Sequence, residues 1–290
     1  MSTLCNLSSS PFSLLVAKAY AAAVASGREI MAVYDVGEAG WEVTHKADNS
    51  PLTLADRRAH EVIVRHLSDT DIYILSEEGL HAPYAERSRH ERLWVVDPLD
   101  GTKEFIRRTA EFTVNIALVS AGRPLFGVVY APATGQMFVG GAALGGAWAA
   151  RLSADDGQSD LMWFQTSARS LPFGSSSSRV SGEKIVVASR SHLSPETEAF
   201  VEDYRRRYGA VRLVSAGSSL KLCLVASGEA DAYPRLAPTM EWDTAAGQAV
   251  AEGAGARVLS HPEGHPLTYN KPDLHNPWFV VDRERCAKTS

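Results

Sequence analysis

A chain of 290 residues, 45% of them hydrophobic and 22% charged, with a formal net charge of −5, has room for one large or two medium domains of ~100–200 residues each. That composition excludes a disordered chain, a collagen and a coiled coil, and no apolar run reaches the ~18–20 residues that span a bilayer. The acidic balance gives no broad electrostatic reason to bind nucleic acid. The three cysteines, Cys5, Cys223 and Cys286, are far apart and lack metal-ligand spacing. They predict a reducing compartment rather than a disulfide framework or a zinc site. Residues 21–26 are rich in small side chains, but no cationic region precedes the N-terminal apolar stretch and Lys18 interrupts it; a cytoplasmic helix is expected there, not a signal peptide.

In chain order, residues 13–34 read as an amphipathic helix, with Leu15, Ala19, Ala22 and Ala23 at helical spacing. Residues 46–67 contain a second, in which Ala55, Ala59, Val62, Ile63 and Leu67 repeat at three and four and Pro51 lies near the start. Strand-like runs follow at 72–75, 93–96, 113–119, 125–130 and 137–139. The last three are joined by Ala121-Gly122-Arg123-Pro124 and Ala131-Pro132 and predict an antiparallel meander. From 153 to 183 the chain turns polar and serine-rich, which reads as a flexible loop or connection. Strand and helix then alternate: strand 184–188, helix 195–208, strand 211–214, helix 219–226, strand 230–233 and helix 243–252, an α/β pattern. The expected organisation is an N-terminal half 1–152, the connection 153–183 and a C-terminal half 184–290.

The segment richest in chemistry is Asp97-Pro98-Leu99-Asp100-Gly101-Thr102, where a strand ends at Val96 and runs into two carboxylates three apart. Pro98 fixes one φ and Gly101 permits a tight turn, so both acids and the carbonyl between them can aim at one point, as hard divalent cations require. The same string also fits a plain turn with Asp as local acceptor. Ser76-Glu77-Glu78-Gly79 follows a strand and fits a solvated turn equally well. Thr53 and Asp56 have the spacing of a capping box, and Asp243 is a natural N-cap for the helix that follows.

The strings around these acids resemble the signatures of the lithium-sensitive, magnesium-dependent phosphatase superfamily that includes inositol monophosphatase. Asp97-Pro98-Leu99-Asp100-Gly101-Thr102 is similar to its first signature, and Trp242-Asp243-Thr244-Ala245-Ala246-Gly247 with Ala254-Gly255-Ala256 to its second. Five stretches resemble the bacterial adenosine 3′,5′-bisphosphate nucleotidase branch in particular: Lys46-Ala47-Asp48-Asn49-Ser50-Pro51, Gly101-Thr102-Lys103-Glu104-Phe105, Glu111-Phe112-Thr113-Val114-Asn115, Ser189-Arg190-Ser191-His192 and Gly217-Ser218-Ser219-Leu220-Lys221. Inositol monophosphatases usually carry Thr-Asn-Phe where this chain has Lys103-Glu104-Phe105.

The resemblance implies a layered α-β-α-β-α sandwich and two or three Mg2+ ions held by Glu77, Asp97, Asp100, Asp243 and the Leu99 carbonyl, most of these ligands lying in the first half. It implies that Thr102 and Asp56 orient and deprotonate the attacking water. The implied reaction removes the 3′-phosphate of adenosine 3′,5′-bisphosphate, leaving AMP and recycling a nucleotide of sulfur assimilation. The implied setting is the cytoplasm, with room for a homodimer or for loose contact with the cytoplasmic membrane face. A nucleotide with two phosphates keeps one remote from the metals. Gly101, Thr102 and Lys103 are substrate-binding candidates; the candidates to hold that second phosphate are Ser218, Ser219, Lys221 and Arg235, with a stacking or hydrogen-bonding role for His192, the Gly217-Ser218-Ser219 run offering backbone N–H groups at a helix start. An inositol or sugar phosphate monophosphatase would not need those cations. A binding module acting on RNA or transcription complexes would not need every acid of the site.

Overall fold

The structure is a computed structural model and describes residues 7, 10–37, 41, 43–45, 51–152, 160–173, 182–188 and 194–283. Helix α1 (Ser13–Val36) buries Val16, Ala19, Ala22, Ala23 and Ile30 along one side and is capped by Gly37, whose φ of 83° is one that glycine adopts without strain. A short antiparallel ribbon, β1 (Thr44–His45) and β2 (Pro51–Leu52), leads into α2 (Leu54–Leu67). The strand β3 (Tyr73–Ser76) comes next, then a turn of helix, α3 (Tyr84–Arg87), and β4 (Arg92–Asp100). After the short helix α4 (Thr102–Ile106), the chain folds back and forth through β5 (Thr113–Ser120), β6 (Arg123–Ala131), β7 (Gln136–Gly141) and β8 (Gly146–Arg151).

The expected meander is present and longer than predicted. Strands β4 to β8 pair in sequence, all antiparallel, and β3 joins β4 in parallel. Strand β4 continues past Val96 to Asp100, with its register slipping between Asp97 and Asp100. The stretch expected to be a loop differs where it is described: α5 (Leu161–Ser167) and β9 (Arg169–Ser170) form there, and β9 completes the seven-stranded sheet beside β8. The reason is an apolar anchor, Phe164, which is fully buried and meets the Tyr20 ring at 5.4 Å.

The second sheet has the order β11-β10-β12-β14-β13. It is built from β10 (Lys184–Ala188), α6 (Pro195–Tyr208), β11 (Val211–Ser215), α7 (Leu220–Ser227), β12 (Ala232–Arg235), α8 (Glu241–Gly253), β13 (Arg257–Ser260) and β14 (Phe279–Asp282). Strands β10, β11 and β12 are parallel; β14 pairs antiparallel with both β12 and β13. The last two strands went unread in the sequence.

Side chains alternate across β4. Trp94 and Val96 pack outward with α1 and α2, whereas Leu93 and Val95 pack inward with α7, α8 and the second sheet. Val201 and Tyr204 of α6 cover the far face of the second sheet. The layers are therefore α1/α2, first sheet, α7/α8, second sheet, α6: the α-β-α-β-α sandwich. Helix α8 lies so close to β6 that a Cβ on Gly127 would stand 2.4 Å from the Ala246 carbonyl oxygen. Asp97 continues the inward side of β4 and faces the N-terminal turn of α8.

Candidate active site

Three elements bring three carboxylates together. Glu77 follows β3, where its N–H extends the parallel pairing by donating to the Val96 carbonyl at 3.0 Å. Asp97 is on β4 and Asp243 in the first turn of α8, and oxygens of all three lie within 4.8 Å of one another. Burial, then the charges of Glu77, Asp100 and Asp243, push the Asp97 carboxyl well above the ordinary carboxylate range. Asp243 is pushed up to about 8, by burial first and by Asp100 next, against the opposing hydrogen bond from Met240. The residue types and their electrostatics suit a hard divalent cation, which would replace mutual repulsion with shared attraction.

The local readings of these acids hold alongside the converging one. Asp97 Oδ1 accepts the Leu99 N–H at 3.0 Å, a true turn bond. Asp243 differs from expectation: Met240 is the N-cap, and Asp243, three residues in, accepts the Met240 N–H at 2.9 Å. The capping box at α2 forms as predicted, with the Thr53 N–H donating to Asp56 Oδ2 at 2.7 Å. That occupies one oxygen. The other, Oδ1, lies 3.2 Å from the Thr102 hydroxyl, which is also 3.4 Å from the Leu99 carbonyl. Gly101 turns the chain between β4 and α4 with φ 95°, a conformation glycine adopts without strain.

Asp100 stands beside this cluster rather than in it. Its Oδ2 accepts the Ser219 N–H at 2.7 Å, the Ser219 hydroxyl at 2.6 Å and the Asn115 amide at 3.3 Å. Ser219 thus departs from its expected role: it is 1% exposed, and both its donors are spent on Asp100 rather than offered to a substrate. The anion at the Ser219 N–H before α7 is this carboxylate.

A cavity of ≈ 370 Å³ opens next to Asp100 and Asp243 and is lined by Lys103, Ser218, Lys221 and Arg235. Gly101 is not among its lining residues, and His192 lies outside the described residues. The Lys221 ammonium donates to the Ser218 carbonyl at 2.7 Å and the Ala216 carbonyl at 3.3 Å, 5.7 Å from the Tyr233 ring centre. Burial brings its pKa down to about 8, against the pull of Asp100. Two donors on the wall have no partner: the Ser218 hydroxyl and Arg235 Nε are buried and unbonded. The sequence reading missed Glu104, Arg107 and Tyr233, which also line the cavity. Arg107 sits one turn beyond Lys103, a spacing that could have flagged it. Asn115 was missed as well; its signal is a polar residue on the inward side of an apolar strand.

The sequence model of the inositol monophosphatase family matches residues 13–285. The 3′(2′),5′-bisphosphate nucleotidase CysQ of Shigella flexneri is 45% identical over 260 residues, covering 88% of this chain and 94% of that protein. The crystal structure of CysQ from Bacteroides thetaiotaomicron superposes with a TM-score of 0.83 at 46% identity, over 95% of this chain and 99% of that one. The extragenic suppressor protein suhB of Bartonella henselae gives 0.66 at 25% identity over 91% of each chain. With its layered fold, its converging carboxylates and this match over nearly its whole length, the chain belongs to the inositol monophosphatase family.

Proposed function

We infer that this chain is a metal-dependent phosphatase that hydrolyses the 3′-phosphate of adenosine 3′,5′-bisphosphate to AMP and phosphate, in keeping with its CysQ relatives, which are named 3′(2′),5′-bisphosphate nucleotidases. The observation that carries the substrate choice is the cavity beside Asp100 and Asp243, whose lining includes Lys103, Arg107, Lys221 and Arg235. Four cationic side chains lining one cavity favour an anion. Their place beside Asp100 and Asp243 suits a phosphate that is held and not cleaved.

Glu77, Asp97, Asp100, Asp243 and the Leu99 carbonyl are the proposed ligands of Mg2+, a set large enough for two or three ions. Mg2+ held there supplies Lewis acidity toward the phosphoryl group and eases deprotonation of the attacking water. The Thr102 hydroxyl orients that water and relays its proton to Asp56 Oδ1, which the capping box holds in place. Lys103, Ser218, Lys221 and Arg235 grip the remaining phosphate and fix the nucleotide's register. In this reading residues 1–152 supply most ligands and both proton carriers, and 184–290 supply Asp243 and most of the substrate grip. No helix among the described residues is long and apolar enough to cross a membrane; a cytoplasmic setting accords with the free, buried Cys223.

Phosphate release from adenosine 3′,5′-bisphosphate and from a substrate with one phosphate, with Mg2+ and with chelator, tests this reading. Arg235→Ala should cost roughly 10- to 100-fold in kcat/KM on the bisphosphate, the worth of one charge-assisted bond, and change the other little. Equal losses on both would move an inositol or sugar phosphate ahead, and turnover in chelator would end the metal mechanism.

A further inference from the structure

We propose that Asn115 and Ser219 are positioning residues that hold the Asp100 carboxylate in the orientation a metal ion needs. The proposal rests on the reading of Asp100 as a metal ligand. Asn115 and Ser219 are each 1% exposed and come from different layers, β5 and the turn before α7. Their hydrogen bonds run in one direction. The Asn115 amide donates to the Ser219 hydroxyl oxygen at 2.6 Å. The single proton of that hydroxyl then has two acceptors in reach, Asp100 Oδ2 at 2.6 Å and the Asp243 carbonyl at 3.1 Å, and the shorter, charge-assisted bond takes it. With the Ser219 N–H and the Asn115 amide added, three donors converge on one oxygen of Asp100. That oxygen is saturated, so the carboxylate cannot rotate freely, and its other oxygen is left for a cation.

Asn115 itself indicates that this arrangement is kept for a purpose. Its Oδ1 is buried without a partner. Turning the amide over would set that oxygen against the Asp100 carboxylate, so the network dictates the orientation and the orphaned carbonyl is its cost. An apolar residue would fill the same place on the inward side of β5, in line with Ala117 and Val119, without that cost. The same two residues also tie β4, β5 and the starts of α7 and α8 into one unit, so the carboxylate keeps its place when substrate enters the cavity.

Titration calorimetry of Mg2+ into the metal-free protein tests the proposal, with thermal unfolding in chelator as the control for folding. Ser219→Ala and Asn115→Leu should each weaken Mg2+ binding by about 10- to 100-fold, as loss of a group that orients a ligand does. Their chelated unfolding temperatures should stay near that of the unmodified chain, and Ser219→Thr, which keeps the hydroxyl, should retain most of the affinity. Asp100→Asn separates the two levels of the argument. If it loses Mg2+ affinity while Ser219→Ala and Asn115→Leu bind normally, the positioning role is overturned. If Asp100→Asn itself binds Mg2+ normally, the ligand assignment falls first. Should Ser219→Ala fail to fold, Asn115→Leu decides alone, since it removes the amide donor and leaves the Ser219 hydroxyl and N–H in place.

Discussion

Replacing Asp97 by Asn should make the metal-free protein more stable and the metal-loaded protein less so. The side chain keeps its shape, and its oxygen can still accept the Leu99 N–H; only the charge goes. Carboxylate oxygens of Glu77, Asp97 and Asp243 lie within 4.8 Å of one another, where two unit charges at an effective dielectric of ~20 repel by about 3 kcal/mol. Protonation caps what the protein suffers, because binding a proton at pH 7 to a carboxyl of ordinary pKa ~3.9 costs about 4 kcal/mol. A gain of about 3 kcal/mol is therefore expected in chelator. At ~2.1 cal/mol/K per residue, the unfolding entropy of a chain this size is roughly 0.6 kcal/mol/K, so the unfolding temperature should rise by about 5 °C.

The pH dependence follows from the same groups. Asp97 and Asp243 are raised above their unfolded values, so the native state holds protons that the unfolded chain releases. Stability of the metal-free protein should then fall as pH rises from about 4 toward 8, and Asp97→Asn should flatten that slope. Added Mg2+ should raise the unfolding temperature of the unmodified chain across the range and that of the variant far less. Scanning calorimetry at several pH values, with chelator and with Mg2+, reads all of this. A variant less stable than the unmodified chain in chelator, or a parent whose chelated stability ignores pH, would refute the account of the cluster as mutually repelling.

Thr102→Ala should lower kcat by about 10²-fold or more while leaving Mg2+ affinity unchanged; steady-state kinetics at saturating Mg2+ beside direct titration would show it, and a loss of affinity at constant kcat would reassign the residue. Ca2+ should bind in competition with Mg2+ and suppress turnover, since it prefers longer and looser coordination; full activity in Ca2+ alone would contradict this. Gly127→Ala should destabilise the fold by about 1–3 kcal/mol because the new methyl meets the Ala246 carbonyl; chemical denaturation measures it, and unchanged stability would mean α8 can shift without cost.

Much of the site was legible because its carboxylates sit in strings whose neighbours leave little choice. Pro98 and Gly101 flank the acids at the end of β4, and Trp242-Asp243 opens a helix with glycine beyond its end. The strings could not say which partner each acid takes. Asp56 looks like a capping residue and is one, but its second oxygen meets Thr102, 46 residues away. Ser219 looks like an anion binder for substrate, yet its donors serve Asp100. Asp243 looks like an N-cap and lies three residues past it. Residues 161–170 read as loop because their polar surroundings hide the fully buried anchor Phe164.

What the sequence determined alone was whatever depends on residues within a turn of one another: the longer helices, the capping box, the meander with its short reversals, and the residue types of the candidate site. Those features rest on backbone dihedrals, on side chain to backbone bonds a few residues long, and on periods of 2 and 3.6, all of which are local. Only the tertiary structure decided that Glu77, Asp97 and Asp243 converge, that Asn115 and Ser219 close on Asp100, and that Ser218 Oγ and Arg235 Nε find no partner. These contacts join β3, β4, β5, β12 and the turns leading into α7 and α8, and they form because burying the faces of α7 and α8 between two sheets leaves the polar ends of those elements meeting at one edge of the core.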